Sequence, residues 1–101
     1  MRGSAGALLV LAAVIGASGP AVAADRALGE YLSTECVTCH RANAPPAQAI
    51  PRITGWPENQ FIAVMNAYKD KQRENPVMQT IAARLAVEEI AALAAYFREQ
   101  K

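Results

Sequence analysis

Cys36-Val37-Thr38-Cys39-His40 is the stretch on which the reading of this chain turns. It holds both cysteines and the single histidine of a 101-residue sequence, packed into five consecutive positions. Two cysteines three apart on a helical turn face the same side, and the residue after the second projects beyond them. A chain of this length forms one domain at most. A domain this small buries only ~60% of the surface its unfolded form exposes, and such chains lean on a disulfide, a metal or a cofactor for stability. CVTCH is the place to look for that support.

Working outward, residues Asp25 to Glu35 carry Leu28, Tyr31 and Leu32 at helical spacing, with Asp25 available as an N-cap. This predicted helix runs straight into Cys36. On the other side, Arg41 to Ile50 contains Pro45-Pro46 and no clean periodicity, so it reads as a loop. Pro51 to Trp56 continues extended or turning, with Gly55 as punctuation. Pro57 suits the first position of a helix, and Glu58 in the first turn complements its dipole. Phe61, Val64, Met65 and Tyr68 then form one apolar stripe. Lys69 to Asn75 is a mixed-charge loop ending before Pro76. A short helix is predicted from about Val77 to Arg84, and a last one from about Val87 to Gln100 with Val87, Ile90, Leu93, Ala94 and Phe97 on one face. No segment alternates like a half-buried strand, so the fold class is all-α.

Three chemistries compete for CVTCH. In the first, both thiols add to the vinyl groups of one haem as thioethers, and His40 ligates the iron. The second is structural zinc, which needs four ligands, and the chain has no further Cys or His. The third is a thioredoxin-like dithiol, which belongs beside a βαβ pattern that is missing here. A plain disulfide would leave His40 without a role and a small core without support. The expectation is therefore a single covalently attached haem c with its iron. With His40 used, Met65 and Met78 remain as candidates for the opposite axial position. Met65 falls on the apolar stripe and reads as core filler. Met78 follows a loop and a proline, where a side chain can be presented inward, and is the preferred ligand. A His/Met pair raises the reduction potential, because a soft thioether favours the ferrous state.

The N-terminus reads as a secretory leader over residues 1–24. Arg2 gives a one-charge n-region, Ala5 to Ala17 an apolar run, and Ala21-Val22-Ala23 a small-residue cleavage pattern that allows cutting after Ala23 or Ala24. The run is well below the roughly 20 residues that span a bilayer, so no stable membrane insertion is expected after cleavage. Residues 25–101 would be the exported domain, in the bacterial periplasm or an equivalent oxidising space. Formal net charge is +1, and losing Arg2 leaves nine basic and nine acidic side chains. That balance excludes the basic face of a nucleic-acid binder.

At this point the sequence resembles the class I cytochromes c, in particular the short bacterial type seen in cytochrome c4 domains and in the cytochrome subunits of flavocytochrome c sulfide dehydrogenases. Gly29 and Leu32 precede Cys36 as in the family's first helix, and Ile50-Pro51-Arg52-Ile53-Thr54-Gly55 resembles its P-x-[LI]-x-G segment. Asn75-Pro76-Val77-Met78 resembles the ligand loop, and Leu85 through Phe97 the closing helix. The resemblance implies a class I cytochrome c fold of three to five short helices wrapped around the haem. It implies that the first and last helices cross with Gly29 close to Tyr96, and that the Pro51 carbonyl accepts a hydrogen bond from His40. Two departures stand out. Trp56 replaces a common glutamine, and either lines the haem pocket or anchors a partner at the surface. Ala86 replaces the usual Ser or Thr cap, so the last helix should start less firmly by ~1 kcal/mol.

Three functions follow as expectations. The first is a monohaem electron carrier cycling Fe(III)/Fe(II) between redox partner proteins. The second, from the resemblance, is an electron-accepting cytochrome subunit in a flavoprotein sulfide dehydrogenase complex, with the catalysis on the partner. The third is a haem sensor or peroxidase-like protein with a labile sixth ligand, which would require Met78 to be displaced.

Overall fold

The computed structural model describes residues 25–43 and 50–101. The leader expected over residues 1–24 and the Pro45-Pro46 loop lie outside the described residues. The described residues form four helices: α1 (Arg26–Cys36), α2 (Glu58–Lys69), α3 (Pro76–Ala83) and α4 (Val87–Arg98). The described residues contain no strand, and no helix among them is long and apolar enough to cross a membrane. The all-α expectation holds, with boundaries shifted by a residue or two.

Helix α1 starts where Asp25 caps it, its side chain accepting from the Leu28 N–H at 3.0 Å. The face it buries differs from the predicted one. Gly29 and Ser33 are buried and Leu32 and Cys36 half-buried, whereas Tyr31 is 75% exposed. Positions 29, 32, 33 and 36 form an i, i+3, i+4, i+7 stripe, and Tyr31 lies on the far side of it. The smallest side chains decide this face, because α1 crosses α4 at very close range. A Cβ on Gly29 would sit 2.2 Å from the Ala92 carbonyl oxygen and 2.8 Å from the Tyr96 Cβ. Ser33 satisfies its buried hydroxyl within α1 by donating to the Glu30 carbonyl at 2.7 Å.

Helix α4 contributes Ile90, Ala92, Leu93, Ala94 and Phe97 to the interior. Ala92 and Ala94 are fully buried, and the small Ala92 lets the two helical backbones come this near. Val87, predicted on the same face, is 73% exposed, because it is the first residue of the helix, one turn before the earliest buried position. Ala86 cannot cap with its side chain, but Glu89 reaches back to accept from the Ala86 N–H at 2.8 Å. That reciprocal bond is half of a capping box and offsets part of the missing cap.

Helix α2 buries Phe61 and Met65, and the Phe61 ring stacks on Phe97 with centroids 5.7 Å apart. Pro57 is the N-cap of α2 rather than its first helical residue, with an extended ψ of 141°. The 50–57 segment is fastened to α4 by the Gly55 N–H, which donates to the Phe97 carbonyl at 2.8 Å. Gly55 makes that turn at φ 78°, a conformation glycine takes without a Cβ penalty. Ile53, which periodicity did not flag, is thereby buried in the core. The core consists of Ile53, Phe61, Met65, Ala82, Leu85, Ile90, Leu93, Ala94 and Phe97. Exposed Arg98 and Glu58 pair at 2.8 Å between α4 and α2, a contact of at most ~1 kcal/mol at the surface.

Candidate functional site

Cys36 is the last residue of α1, and the chain keeps turning through it. The N–H groups of Cys39 and His40 both donate to the Cys36 carbonyl, at 3.2 and 2.8 Å. This turn carries Cys36, Cys39 and His40 out of α1 as one unit. The two cysteines are not joined to each other in a disulfide; Cys36 is half-buried and Cys39 exposed. Burial, and secondarily the Glu35 carboxylate, push the Cys36 thiol up to about 11. A dithiol redox centre needs the reverse, a thiol whose pKa is lowered toward neutrality. Among the described residues no group of three or more His, Cys, Asp or Glu side chains is placed to hold a metal ion.

His40 is half-buried, and its Nδ1 lies 2.7 Å from the Pro51 carbonyl oxygen. A carbonyl only accepts, so Nδ1 must carry the proton and donate. The lone pair of the neutral ring is then on Nε2. A second tie reinforces the first, because the Arg52 guanidinium donates to the Ala42 carbonyl at 3.2 Å. The 50–53 segment is thus held against the turn that bears His40. Arg52 lies inside the Ile50–Gly55 stretch of the resemblance, but no spacing rule assigns it this contact.

Met78 is the third residue of α3, half-buried and packed on the core. Its N–H donates to the side-chain oxygen of Asn75 at 3.0 Å. Asn75 belongs to the stretch that resembles the ligand loop, and Asn before Pro at a helix start is also a readable capping signal. Met65 is 6% exposed, inside the core. Trp56 sits half-buried in the turn before α2 and packs on the same core. Leu32, Cys36, Trp56, Tyr68, Met78 and Ile81 come from four separate segments, and each keeps part of its apolar surface uncovered.

The family described as Cytochrome c matches residues 26–101. The chain belongs to the cytochrome c family. Among its relatives, cytochrome c4 of Pseudomonas aeruginosa strain PAO1 is 33% identical over 96 residues, covering 93% of this chain and 48% of that protein. The thiosulfate dehydrogenase electron acceptor of Thiomonas intermedia strain K12 is 32% identical over 91 residues, covering 88% and 42%. Cytochrome c-554(548) of Halomonas halodenitrificans is 34% identical over 83 residues, covering 78% of this chain and the whole of that protein. The chain thus spans less than half the length of the first two. As a class I c-type cytochrome it has covalently bound haem c, with iron, as its cofactor.

Proposed function

We propose that this cytochrome c is a monohaem electron carrier of the bacterial periplasm, with Cys36 and Cys39 as thioether anchors and His40 and Met78 as axial ligands. The observation that carries the reading is the 2.7 Å contact between His40 Nδ1 and the Pro51 carbonyl. It leaves Nε2 as the one ring nitrogen able to bind iron, and it holds the ring at a fixed orientation. The residues fit the cofactor in two further ways. Two cysteine side chains, not bridged to each other, stand one turn apart beside that imidazole, and the half-buried apolar side chains of four segments supply uncovered surface for a macrocycle. When bound, haem supplies one-electron Fe(III)/Fe(II) cycling.

The chain's own residues set the terms of that exchange. Pro51 accepts from His40 and strengthens the imidazole as a donor. Met78 brings a soft thioether that favours the reduced state. Trp56, next to the Gly55 turn, lines the haem pocket in this reading, with a surface anchor for a partner as the alternative. Export through the 1–24 leader would place attachment in the periplasm. In a redox-titrated visible spectrum, Met78→Leu is expected to lose the near-red charge-transfer band of iron–methionine bonding, to lower the potential, and to let the reduced protein bind CO. Met65→Leu should retain the band. Persistence of the band in Met78→Leu would remove the assignment.

The names of two relatives, each a thiosulfate dehydrogenase electron acceptor, support a donor that oxidises inorganic sulfur. A flavoprotein sulfide dehydrogenase is the alternative donor. Stopped-flow mixing of the oxidised cytochrome with a thiosulfate dehydrogenase and thiosulfate is expected to reduce it within one enzyme turnover. Reduction only by a sulfide-oxidising flavoprotein would favour the alternative, and reduction by neither would end the sulfur reading.

A further inference from the structure

We infer that Asn75 is a positioning residue for Met78, acting through the first turn of α3 rather than by touching the cofactor. The inference rests on the assignment of Met78 as the axial ligand. Asn75 Oδ1 accepts from the N–H of Met78 itself at 3.0 Å, and the Asn75 carbonyl accepts from the Gln79 N–H at 2.9 Å. Pro76 fills the first helical position, where its ring fixes φ and its missing N–H needs no partner. One residue therefore holds the backbone on both sides of the methionine.

Asn75 is itself held by its neighbours. Arg73 donates from Nε to the Tyr68 hydroxyl at 3.0 Å, and its guanidinium lies 5.3 Å from the centroid of the Tyr68 ring. The Arg73 carbonyl accepts from the Gln79 side chain at 2.9 Å. Tyr68 in turn packs on the core. The segment from Arg73 to Gln79 is thus fastened to α2 at one end and closed on α3 at the other.

α3 has eight residues, too short to be stable alone, and its first turn frays when its cap is lost. Met78 sits in that turn, so fraying swings the thioether away from any ligand position. Asn75 therefore sets the fraction of molecules in which the sixth site is closed. α1 provides a matched control, because Asp25 Oδ1 accepts from the Leu28 N–H at the same 3.0 Å. Losing either cap should cost similar global stability, but only Asn75 caps the methionine.

The test is titration of the ferric holoprotein with exogenous imidazole, followed by loss of the near-red band. Asn75→Ala is expected to bind imidazole roughly fivefold more tightly than the wild type, the factor that a typical cap contributes. Asn75→Asp, which keeps the acceptor, should restore wild-type affinity, and Asp25→Ala should stay within about twofold of it. If Asn75→Ala does not accumulate, Asn75→Thr, a weaker cap, gives the same comparison at smaller amplitude. Wild-type affinity in both Asn75→Ala and Asn75→Thr would overturn the inference, as would equal tightening by Asp25→Ala. A near-red band that survives in Met78→Leu would overturn the ligand assignment instead. A band lost there, with Asn75→Ala unchanged, would sink only the positioning role.

Discussion

Gly29→Ala is expected to lower the melting temperature of the haem-loaded protein by roughly 10–20 °C. In an ordinary helix interior the same change is favourable by up to ~1 kcal/mol, so the sign alone is diagnostic. Here the new Cβ would lie 2.2 Å from the Ala92 carbonyl oxygen and 2.8 Å from both the Ala92 carbonyl carbon and the Tyr96 Cβ. Two of those atoms are backbone, and the third is the rigid base of a side chain. None can rotate away, so α1 and α4 must separate. Forcing atoms into a packed interface costs typically 1–3 kcal/mol and occasionally more, and each kcal/mol is worth about 4–8 °C in a domain of this size. Thermal melts followed by circular dichroism report the result. A melting temperature equal to or above that of the wild type would mean that the two helices do not meet this closely.

The second large effect is expected from Cys36→Ala/Cys39→Ala. Without covalent haem the chain should be largely unfolded, with most of its helical signal and its cooperative transition lost. Among the described residues the largest fully buried side chains are Phe97, Ile90 and Leu93. Leu32, Trp56, Tyr68, Met78 and Ile81 pack on the core but stay half-exposed. A macrocycle seated on them would remove that apolar surface from water, at roughly 25 cal/mol per Å². Deprived of it, a domain this small has little to set against chain entropy. Far-UV circular dichroism and a thermal scan of the haem-free variant decide the matter. Native-like helicity with a cooperative melt would overturn the cofactor's structural role.

Much of the fold could be read in advance because its signals are local. Asp25, Pro57, Pro76 and the mixed-charge loop before Asn75 each mark a helix end through their own backbone chemistry. The errors share a different origin. Leu28, Tyr31 and Leu32 are apolar at helical spacing, yet the buried stripe of α1 runs through Gly29 and Ser33. Val87 continues the spacing of α4 but lies beyond its covered part. Ile53 is buried because a loop is pinned to α4 by the Gly55 hydrogen bond.

CVTCH by itself determined the chemistry that this chain offers. Two thiols and an imidazole lie within one turn, and no other Cys or His exists to complete a zinc site. Such a motif is legible because covalent spacing along a turn sets its geometry. Tertiary structure alone decided how that turn is supported: the Pro51 carbonyl at His40, eleven positions on, and the Ala92 backbone against Gly29. A main-chain oxygen is the same atom in every residue, and a close helix crossing selects for the absence of a side chain. Neither leaves a periodic or compositional trace; only the resemblance to the class I cytochromes c implied them, and the packed helices supply the partner atoms and distances.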